Sequence, residues 1–462
     1  MASGSTRGRK FSSWARRERV AEGSFSAVAR GTPGARGASW PNETREEPWS
    51  APRTLAAVEP RSVCFAPRAS DGVMTETTGC LALPRDTLEV RLTSAAVRLR
   101  LDVGGDEIFV ASDHGPAMID SGAELLMLPL ATADFRASSG VLVLGTRQTT
   151  RGERGETASL RLADDATAGA VTLRNVPTAV VPSFAEVLSR AGLQPSTAIL
   201  GLPLLASVAM RVDYVKREVV LGAPPHRPGA IAVPLRYEDG HMVVDASLEG
   251  QSVALILDTG SGDGLSIDKT WADAHGLPGS RRHADVPMGE AAGMSVTTRF
   301  RLEHASFGPV AFDGRLADIH PMPRSSRYAG MLGNPMLERC HAFVLDLPAR
   351  TLWLEGPCDR PVRERRGGFS FERRYATDTT EMAGGVRVGG FWEVATMMPG
   401  GPAARADLRV GDRILSMAGV RAPLRADDWV DVLSQAAGTV IGLKVERDGQ
   451  PIALALRLDD FP

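Results

Sequence analysis

The stretch Ala254-Leu-Ile-Leu-Asp258-Thr-Gly-Ser261 determines how the rest of the sequence is interpreted. A run of apolar residues of this length is typical of a buried strand, and an aspartate at its end places a carboxylate at the rim of a core. Thr259 adds a hydroxyl group, and Gly260 permits close approach of another backbone. A single turn of this kind is weak evidence, because Asp-x-Gly commonly only reverses the chain.

The same pattern occurs earlier, as Pro116-Ala-Met-Ile-Asp120-Ser-Gly-Ala123. Each copy is followed by an apolar run with a Gly-x-Pro ending, at Ala198-Ile-Leu-Gly201-Leu-Pro203 and at Gly330-Met-Leu-Gly333-Asn-Pro335. The first motif recurs after 138 residues (258 − 120) and the second after 132 (333 − 201). Two motifs in the same order at similar spacing indicate a duplicated unit, not two unrelated β segments.

A pseudo-twofold axis between the two copies can bring Asp120 and Asp258 together. Two carboxyl groups at contact distance cannot both ionise, so the pair holds one proton at mildly acidic pH and titrates as a unit. The charged carboxylate can act as a base toward water, while the protonated one polarises an amide carbonyl. The duplication therefore predicts hydrolysis of peptide bonds.

Both copies resemble retropepsin-type aspartic peptidases, which carry apolar-apolar-Asp-Thr/Ser-Gly-Ala/Ser, a flap hairpin, and then apolar-apolar-Gly. The resemblance covers about residues 80–356 and implies a single-chain fusion of two halves. It implies a catalytic pair and four supporting residues of the two turns: Asp120 and Asp258, with Ser121, Gly122, Thr259 and Gly260. Flap candidates lie near Gly145 and Gly289. No metal and no organic cofactor is implied.

Other interpretations of these turns fit less well. Gly260-Ser-Gly-Asp-Gly264 lacks the Lys-Ser/Thr of a phosphate loop and the dinucleotide spacing, and the spaced acidic ligands of a calcium loop are missing. A serine nucleophile at Ser121 would need G-x-S-x-G around it, which is absent from the sequence.

Residues 390–420 resemble a bacterial PDZ domain. Pro402-Ala-Ala-Arg-Ala406 predicts a short helix, and Val410-Gly-Asp-Arg-Ile-Leu415 predicts a turn into a buried strand. Asp407 stands where the family usually has glycine, and aspartate tolerates a left-handed backbone better than most residues. PDZ domains bind extended peptides by adding a strand. The candidate loop for a terminal carboxylate is Gly384-Gly385-Val386, although a PDZ domain that only packs on the peptidase remains an alternative.

The sequence thus predicts a mainly β protein: two tandem retropepsin-like acid-protease β-barrel halves that form a pseudo-dimer, followed by a small α/β PDZ domain. We expect residues 1–78 to be a disordered Arg/Ser/Gly/Pro-rich segment, with a basic binding arm as the alternative. The first half then covers 79–223 and the second half 229–357, and a linker at 358–380 leads to the PDZ domain at 381–462.

Composition excludes several other classes. The 462 residues suggest roughly three domains. With 53 basic and 55 acidic residues the net charge is −2, which argues against recruitment of nucleic acid. No run approaches the ~20 apolar residues of a membrane-spanning helix, and no signal peptide is visible in the sequence as given.

Two cysteines bear on the compartment. If Asp346 pairs with Thr351, Cys340 falls close to Cys358, near enough for a disulfide, and two free thiols are the open alternative. A disulfide would favour the cell envelope or periplasm, in tension with the missing signal, so the localisation stays unknown.

These observations lead to two hypotheses. In the first, an aspartic endopeptidase cuts a polypeptide substrate with water activated between Asp120 and Asp258, and its PDZ domain binds a peptide or protein C-terminus to recruit or regulate. In the second, an inactive scaffold combines an acid-protease-like fold with a PDZ domain to bind peptides. A third hypothesis, a PDZ-bearing serine protease, is disfavoured because this sequence lacks the Gly-Asp-Ser-Gly-Gly signature of that class.

Overall fold

Strands dominate the computed structural model of the protein, as the sequence predicts. The structure describes the following residues: 63–65, 79–81, 88–104, 106–113, 115–128, 137–144, 150–155, 158–164, 169–176, 178–180, 198–222, 226–238, 240–290, 293–322, 327–374, 382–383, 386–387, 390–422 and 426–460. Among the helices in these ranges, none has the length and apolar run that a membrane span requires.

Within the described residues, the chain as far as Gly222 contains sixteen strands and one short helix, and the first strand lies in the segment 1–78 that the sequence predicts to be disordered. The strands are β1 Val63–Phe65, β2 Gly79–Leu81, β3 Glu89–Leu92, β4 Ala96–Arg100, β5 Asp102–Gly104, β6 Glu107–Ser112, β7 Gly115–Ile119, β8 Leu126–Leu128, β9 Ala137–Leu144, β10 Thr150–Gly155, β11 Ala158–Leu162, β12 Val171–Val176, β13 Thr178–Val180, β14 Ala198–Leu200, β15 Ala209–Asp213 and β16 Glu218–Gly222. Helix α1, Leu202–Leu205, starts at the Gly-Leu-Pro motif with proline in its first turn.

The region of the second repeat follows a similar order. Its strands are β17 Ile231–Glu238, β18 His241–Leu248, β19 Gln251–Asp258, β20 Leu265–Asp268, β21 His283–Glu290, β22 Gly293–Arg301, β23 Ala305–Phe307, β24 Val310–Ala311, β25 Leu316–His320, β26 Gly330–Gly333, β27 Ala342–Asp346 and β28 Thr351–Glu355. Helix α2, Lys269–Ala274, begins after Asp268, whose side chain accepts hydrogen bonds from two backbone N–H groups of the first turn. Helix α3, Asn334–Leu337, follows the second Gly-x-Pro motif.

Within the described residues, the C-terminal region forms a six-stranded sheet and a separate two-stranded ladder. Its strands are β29 Phe369–Arg374, β30 Met382–Ala383, β31 Val386–Arg387, β32 Phe391–Met397, β33 Arg413–Met417, β34 Val420–Arg421, β35 Val440–Arg447 and β36 Gln450–Arg457, with helices α4 Pro402–Arg405 and α5 Ala426–Leu433. The main path of the sheet is β29-β32-β33-β35-β36. Strand β29, which lies in the stretch predicted as a linker, is thus the first strand of this sheet.

One antiparallel ladder, β17-β28-β27-β15-β16-β4, joins the two repeat regions. Strand β4 alternates exposed and buried residues, as expected for a strand with one face on a core. The buried guanidinium of Arg211 on β15 lies 2.9 Å from Asp213 and 2.8 Å from Glu355 on β28, so its charge is paired across the ladder.

The two cysteines of the second region are joined. Cys340, which is buried after helix α3, forms a disulfide with Cys358. Of the two alternatives that the sequence left open, the structure therefore has the disulfide, which fixes the chain after β28 to the second repeat region.

Candidate active site

The two Asp-Ser/Thr-Gly turns occupy equivalent places in their sheets. Asp120 follows β7 and Asp258 ends β19, and each of these strands pairs in parallel with the later apolar strand of its own repeat, β14 or β26. The N–H of Asp120 donates to Leu200 O at 2.9 Å, and Asp258 is in register with Gly333. The two motifs of each repeat therefore lie side by side.

The glycine of each later motif makes this close packing possible. A Cβ atom at Gly201 would lie 2.0 Å from the carbonyl oxygen of Ala123, and one at Gly333 would lie 2.6 Å from that of Ser261. Both carbonyls belong to the Asp-containing turns. The glycines of the Gly-x-Pro motifs thus pack against the backbone of the Asp-containing turns. This contact explains why both motifs occur in each repeat.

Reciprocal hydrogen bonds join the two turns. The hydroxyl of Thr259 accepts from the N–H of Ser121 at 3.0 Å and donates to Ile119 O at 2.9 Å. The hydroxyl of Ser121 accepts from the N–H of Thr259 at 2.9 Å and donates to Leu257 O at 2.8 Å. Both side chains are fully buried, so each hydroxyl satisfies backbone groups that water cannot reach.

The two carboxyl groups meet above these hydroxyls and share a hydrogen bond. A Cβ atom at Gly122 would lie 2.6 Å from Cγ of Asp258, and one at Gly260 would lie 2.4 Å from Cγ of Asp120. Each glycine therefore leaves room for the carboxylate of the opposite repeat. The N–H groups of Gly122 and Gly260 also donate to their own aspartates at 2.7 and 2.9 Å.

The carboxyl groups differ in acidity. Burial, reinforced by the charge of Asp258, raises the pKa of Asp120 well above its ordinary value. Burial also raises the pKa of Asp258, but hydrogen bonds from Asp120 and from the backbone of Gly260 and Gly122 oppose that rise. The two carboxyl groups accordingly share a proton and titrate as a pair, and burial makes them hold that proton more tightly than an exposed aspartate does.

The structure describes one of the two flap candidates. Gly289 is in β21, paired with Met294 next to the turn of the β21–β22 hairpin. Gly145 falls outside the described residues, directly after β9, which pairs with β10. Both flap assignments stay predictions.

In the C-terminal sheet, β29 ends the strand order, and within the described residues no strand other than β32 pairs with it. Helix α5 lies beside it, with the ring of Phe371 4.6 Å from that of Trp429, centroid to centroid. Gly384 and Gly385 fall outside the described residues. Val386 is in the two-stranded β30–β31 ladder and is not brought into the β29 sheet. Asp407 has the expected left-handed backbone, with φ of 57°.

Sequence reasoning missed a cluster of charges beside the second turn. Burial raises the pKa of Asp263 to about 6, and the nearby Asp318 acts in the same direction, while Arg299 and Arg365 oppose it. Arg299 binds Asp318 through two hydrogen bonds of 2.8 Å. The only sequence signal was the Arg-rich character of the stretch after Cys358, which was interpreted as a linker.

Comparison with known proteins finds one match in the region of the second repeat and one in the C-terminal region. Residues 244–336, which contain Asp258 and Gly333, match the family model described as aspartyl protease. Residues 393–447 match the model of the PDZ domain. One segment of the chain is thus similar to aspartyl proteases and another to PDZ domains.

A solved structure of a retropepsin-like aspartic protease from Rickettsia conorii is similar to part of the chain. It is 21% identical, and the match covers 27% of this chain and 89% of that one, with a TM-score of 0.22. No curated protein sequence matches the chain. The recognition of both families from sequence is confirmed by the two family models.

Proposed function

We propose that the protein is an aspartic endopeptidase whose single site is built by residues 79–223 and 229–357 as a pseudo-dimer. One observation carries the proposal: the two Asp-Ser/Thr-Gly turns exchange reciprocal hydrogen bonds and place Asp120 and Asp258 in contact. A scaffold that only bound peptides would not require two half-buried carboxyl groups in contact, with pKa values that burial raises.

Because the pair shares one proton, its two carboxyl groups take different roles, and we assign the base to Asp258 and the acid to Asp120. Asp258, as the carboxylate, takes a proton from a water molecule, whose oxygen attacks the carbonyl carbon of the peptide bond. Asp120 donates its proton to the carbonyl oxygen as the tetrahedral intermediate forms. Collapse of this intermediate breaks the C–N bond, the amide nitrogen receives a proton from Asp258, and Asp120 regains its own from the intermediate's hydroxyl. The pair then holds one proton again.

The substrate is a polypeptide in extended form. The β21–β22 hairpin and its counterpart β9–β10 would cover it as flaps. The PDZ domain would bind a peptide or protein C-terminus by adding a strand to β29 beside α5, because β29 is the edge of its sheet. This binding would recruit or regulate cleavage.

Cleavage of denatured casein from pH 3 to 7 tests the proposal, with wild type beside Asp120→Asn and Asp258→Asn. We expect cleavage at acidic pH that both substitutions abolish. Binding of a pepstatin-type inhibitor to the wild type supplies an independent measure of a formed site. Absence of both cleavage and inhibitor binding, with residues 1–78 present or removed, would favour the scaffold.

A further inference from the structure

The seam between the two repeats contains carboxyl groups whose cationic partners come partly from the chain after Cys358. Asp106, in the turn before β6, is 2% exposed, and Asp263 belongs to the loop that follows Asp258. Both line a small cavity of about 50 Å³ with residues from the chain after Cys358. Buried carboxylates of this kind require cationic partners, because an unpaired buried charge is strongly destabilising.

The cations come from residues 360–366, Arg-Pro-Val-Arg-Glu-Arg-Arg, which we name the arginine strap. Arg363 lies 2.6 Å from one carboxylate oxygen of Asp106 and 3.2 Å from Glu338. Arg365 lies 3.5 Å from the other oxygen of Asp106, and its charge also acts on Asp263. The strap therefore bridges the first repeat and the active-site loop of the second.

The same arginines hold the PDZ helix α5. Arg363 donates to Asp431 at 3.3 Å, and the guanidinium of Arg365 lies 4.7 Å from the ring centroid of Trp429. Next in the strap, the N–H of Arg366 donates to Leu433 O at 2.8 Å. The Cys340–Cys358 disulfide fixes the chain just before the strap to the second repeat. The strap is thus fastened at both ends.

The position of α5 matters for the PDZ domain because Trp429 contacts Phe371 of the edge strand β29. Both rings are buried, at 6% exposure each, and occupy the space between β29 and α5. A peptide strand added to β29 on this side would lie along α5, next to these rings. A shift of Trp429 in response would remove the stacking partner of Arg365.

From these contacts we propose that the arginine strap couples the two domains: peptide binding between β29 and α5 withdraws Arg365 from the seam and loosens the loop at residues 258–264. The coupling is reciprocal, so a strap seated in the seam also opposes peptide binding. Strand β21 of the second flap hairpin lies beside β32 of the PDZ domain, which provides a second contact through which the same displacement reaches the substrate cleft. The effect of this coupling on cleavage rests on the proposed function, whereas the exchange experiment that tests the coupling does not.

Hydrogen–deuterium exchange of the full chain tests the coupling without relying on catalysis. In Arg365→Gln we expect exchange to accelerate by on the order of two- to thirtyfold in two separated segments, the loop 258–264 and helix α5. The control Arg409→Gln removes an exposed PDZ arginine that pairs with Asp407 at 3.0 Å, and should change neither segment. Acceleration in α5 alone, or in neither segment, would overturn the proposal.

A double-mutant cycle distinguishes coupling from local loosening. Phe371→Leu keeps an apolar side chain but removes the ring that meets Trp429, and persistent protection of β35 and β36 shows that the domain stays folded. We expect it to change exchange of the loop 258–264 in the wild-type strap and to add nothing in Arg365→Gln. If the effects of Phe371→Leu and Arg365→Gln on loop exchange are additive, or if Phe371→Leu does not change loop exchange, the proposed coupling through the arginine strap is contradicted. Loss of casein cleavage alone would instead concern the peptidase proposal.

Discussion

At the scale of single residues, Asp120 and Asp258 differ in their surroundings although their turns have nearly the same sequence. The pKa of Asp120 is raised further, because burial and the charge of Asp258 act together on it. The second carboxyl receives hydrogen bonds that compensate for part of its burial. The pair is therefore prepared in the singly protonated form that general acid–base hydrolysis of an amide requires.

The shared proton predicts the pH dependence of cleavage. Activity needs one proton on the pair, so it falls in acid when the pair binds a second proton and falls again when the pair loses its last one. Since the pKa of Asp120 is raised well above 3.8, the alkaline limb lies above the range of an ordinary aspartate. Initial rates of casein cleavage across pH give the profile, and a rate that keeps rising through neutral pH would contradict it.

The same shift predicts a sign for stability. A carboxyl whose pKa is higher in the folded state binds more protons there than when unfolded, so its contribution stabilises the fold in acid and is lost as pH rises through the folded pKa. In Asp120→Asn this loss is absent. We therefore expect the melting temperature of Asp120→Asn, relative to wild type, to increase from acidic to neutral pH.

The glycines of the two turns give a steric prediction. Gly122→Ala would place a methyl group 2.6 Å from Cγ of Asp258, which has to move. Because displacement of a reacting group by about 1 Å can reduce the rate 100-fold, we expect a loss of that order in kcat. Gly442→Ala is the matched control, since a Cβ there meets no atom within 4 Å and kcat should not change. Near-wild-type cleavage by Gly122→Ala would show that the carboxylates do not meet as described.

At the scale of elements, the strand ladder between the repeats depends on a buried charge network. Arg211→Ala breaks the buried ion pairs with Asp213 and Glu355 and leaves these carboxylates with the exposed Arg227, 3.7 Å from each, as a cationic partner; removal of one partner of a buried pair costs about 3–5 kcal/mol. Arg98→Ala removes an exposed arginine that pairs with Glu218 in the same ladder, and should cost less than about 1 kcal/mol. Urea unfolding of both variants measures the difference, and equal costs would contradict a role for the network in joining the repeats.

The elements also show what the sequence could reveal. The sequence predicts the turns at Asp120 and Asp258 and the later glycines, because each repeat contains the same local pattern. This pattern is an apolar strand, a polar turn and a glycine where two backbones approach closely. Strand β29 was not predictable in the same way. Gly367-Gly-Phe-Ser-Phe371 follows an Arg-rich stretch, and only its pairing with β32 distinguishes a first PDZ strand from a linker.

At the scale of the whole molecule, long-range pairing supplies what local patterns lack. Arg363 and Arg365 are separated from Asp106 by most of the chain, and nothing in the periodicity of the strap points to that turn. The charges compensate each other only once the two repeats and the PDZ domain are assembled. The fold class can therefore be predicted from local sequence motifs, whereas the ion pairs of the seam can be seen only in the folded chain.

The central claim is that one chain forms one site from both aspartates. Mixing purified Asp120→Asn with Asp258→Asn and measuring casein cleavage tests it most directly, with wild type at the same total concentration as the reference. If the site is built within one chain, neither variant can complement the other, and the mixture stays inactive at every ratio. Recovery of a substantial fraction of wild-type activity would show that the site is shared between two chains and would contradict the account.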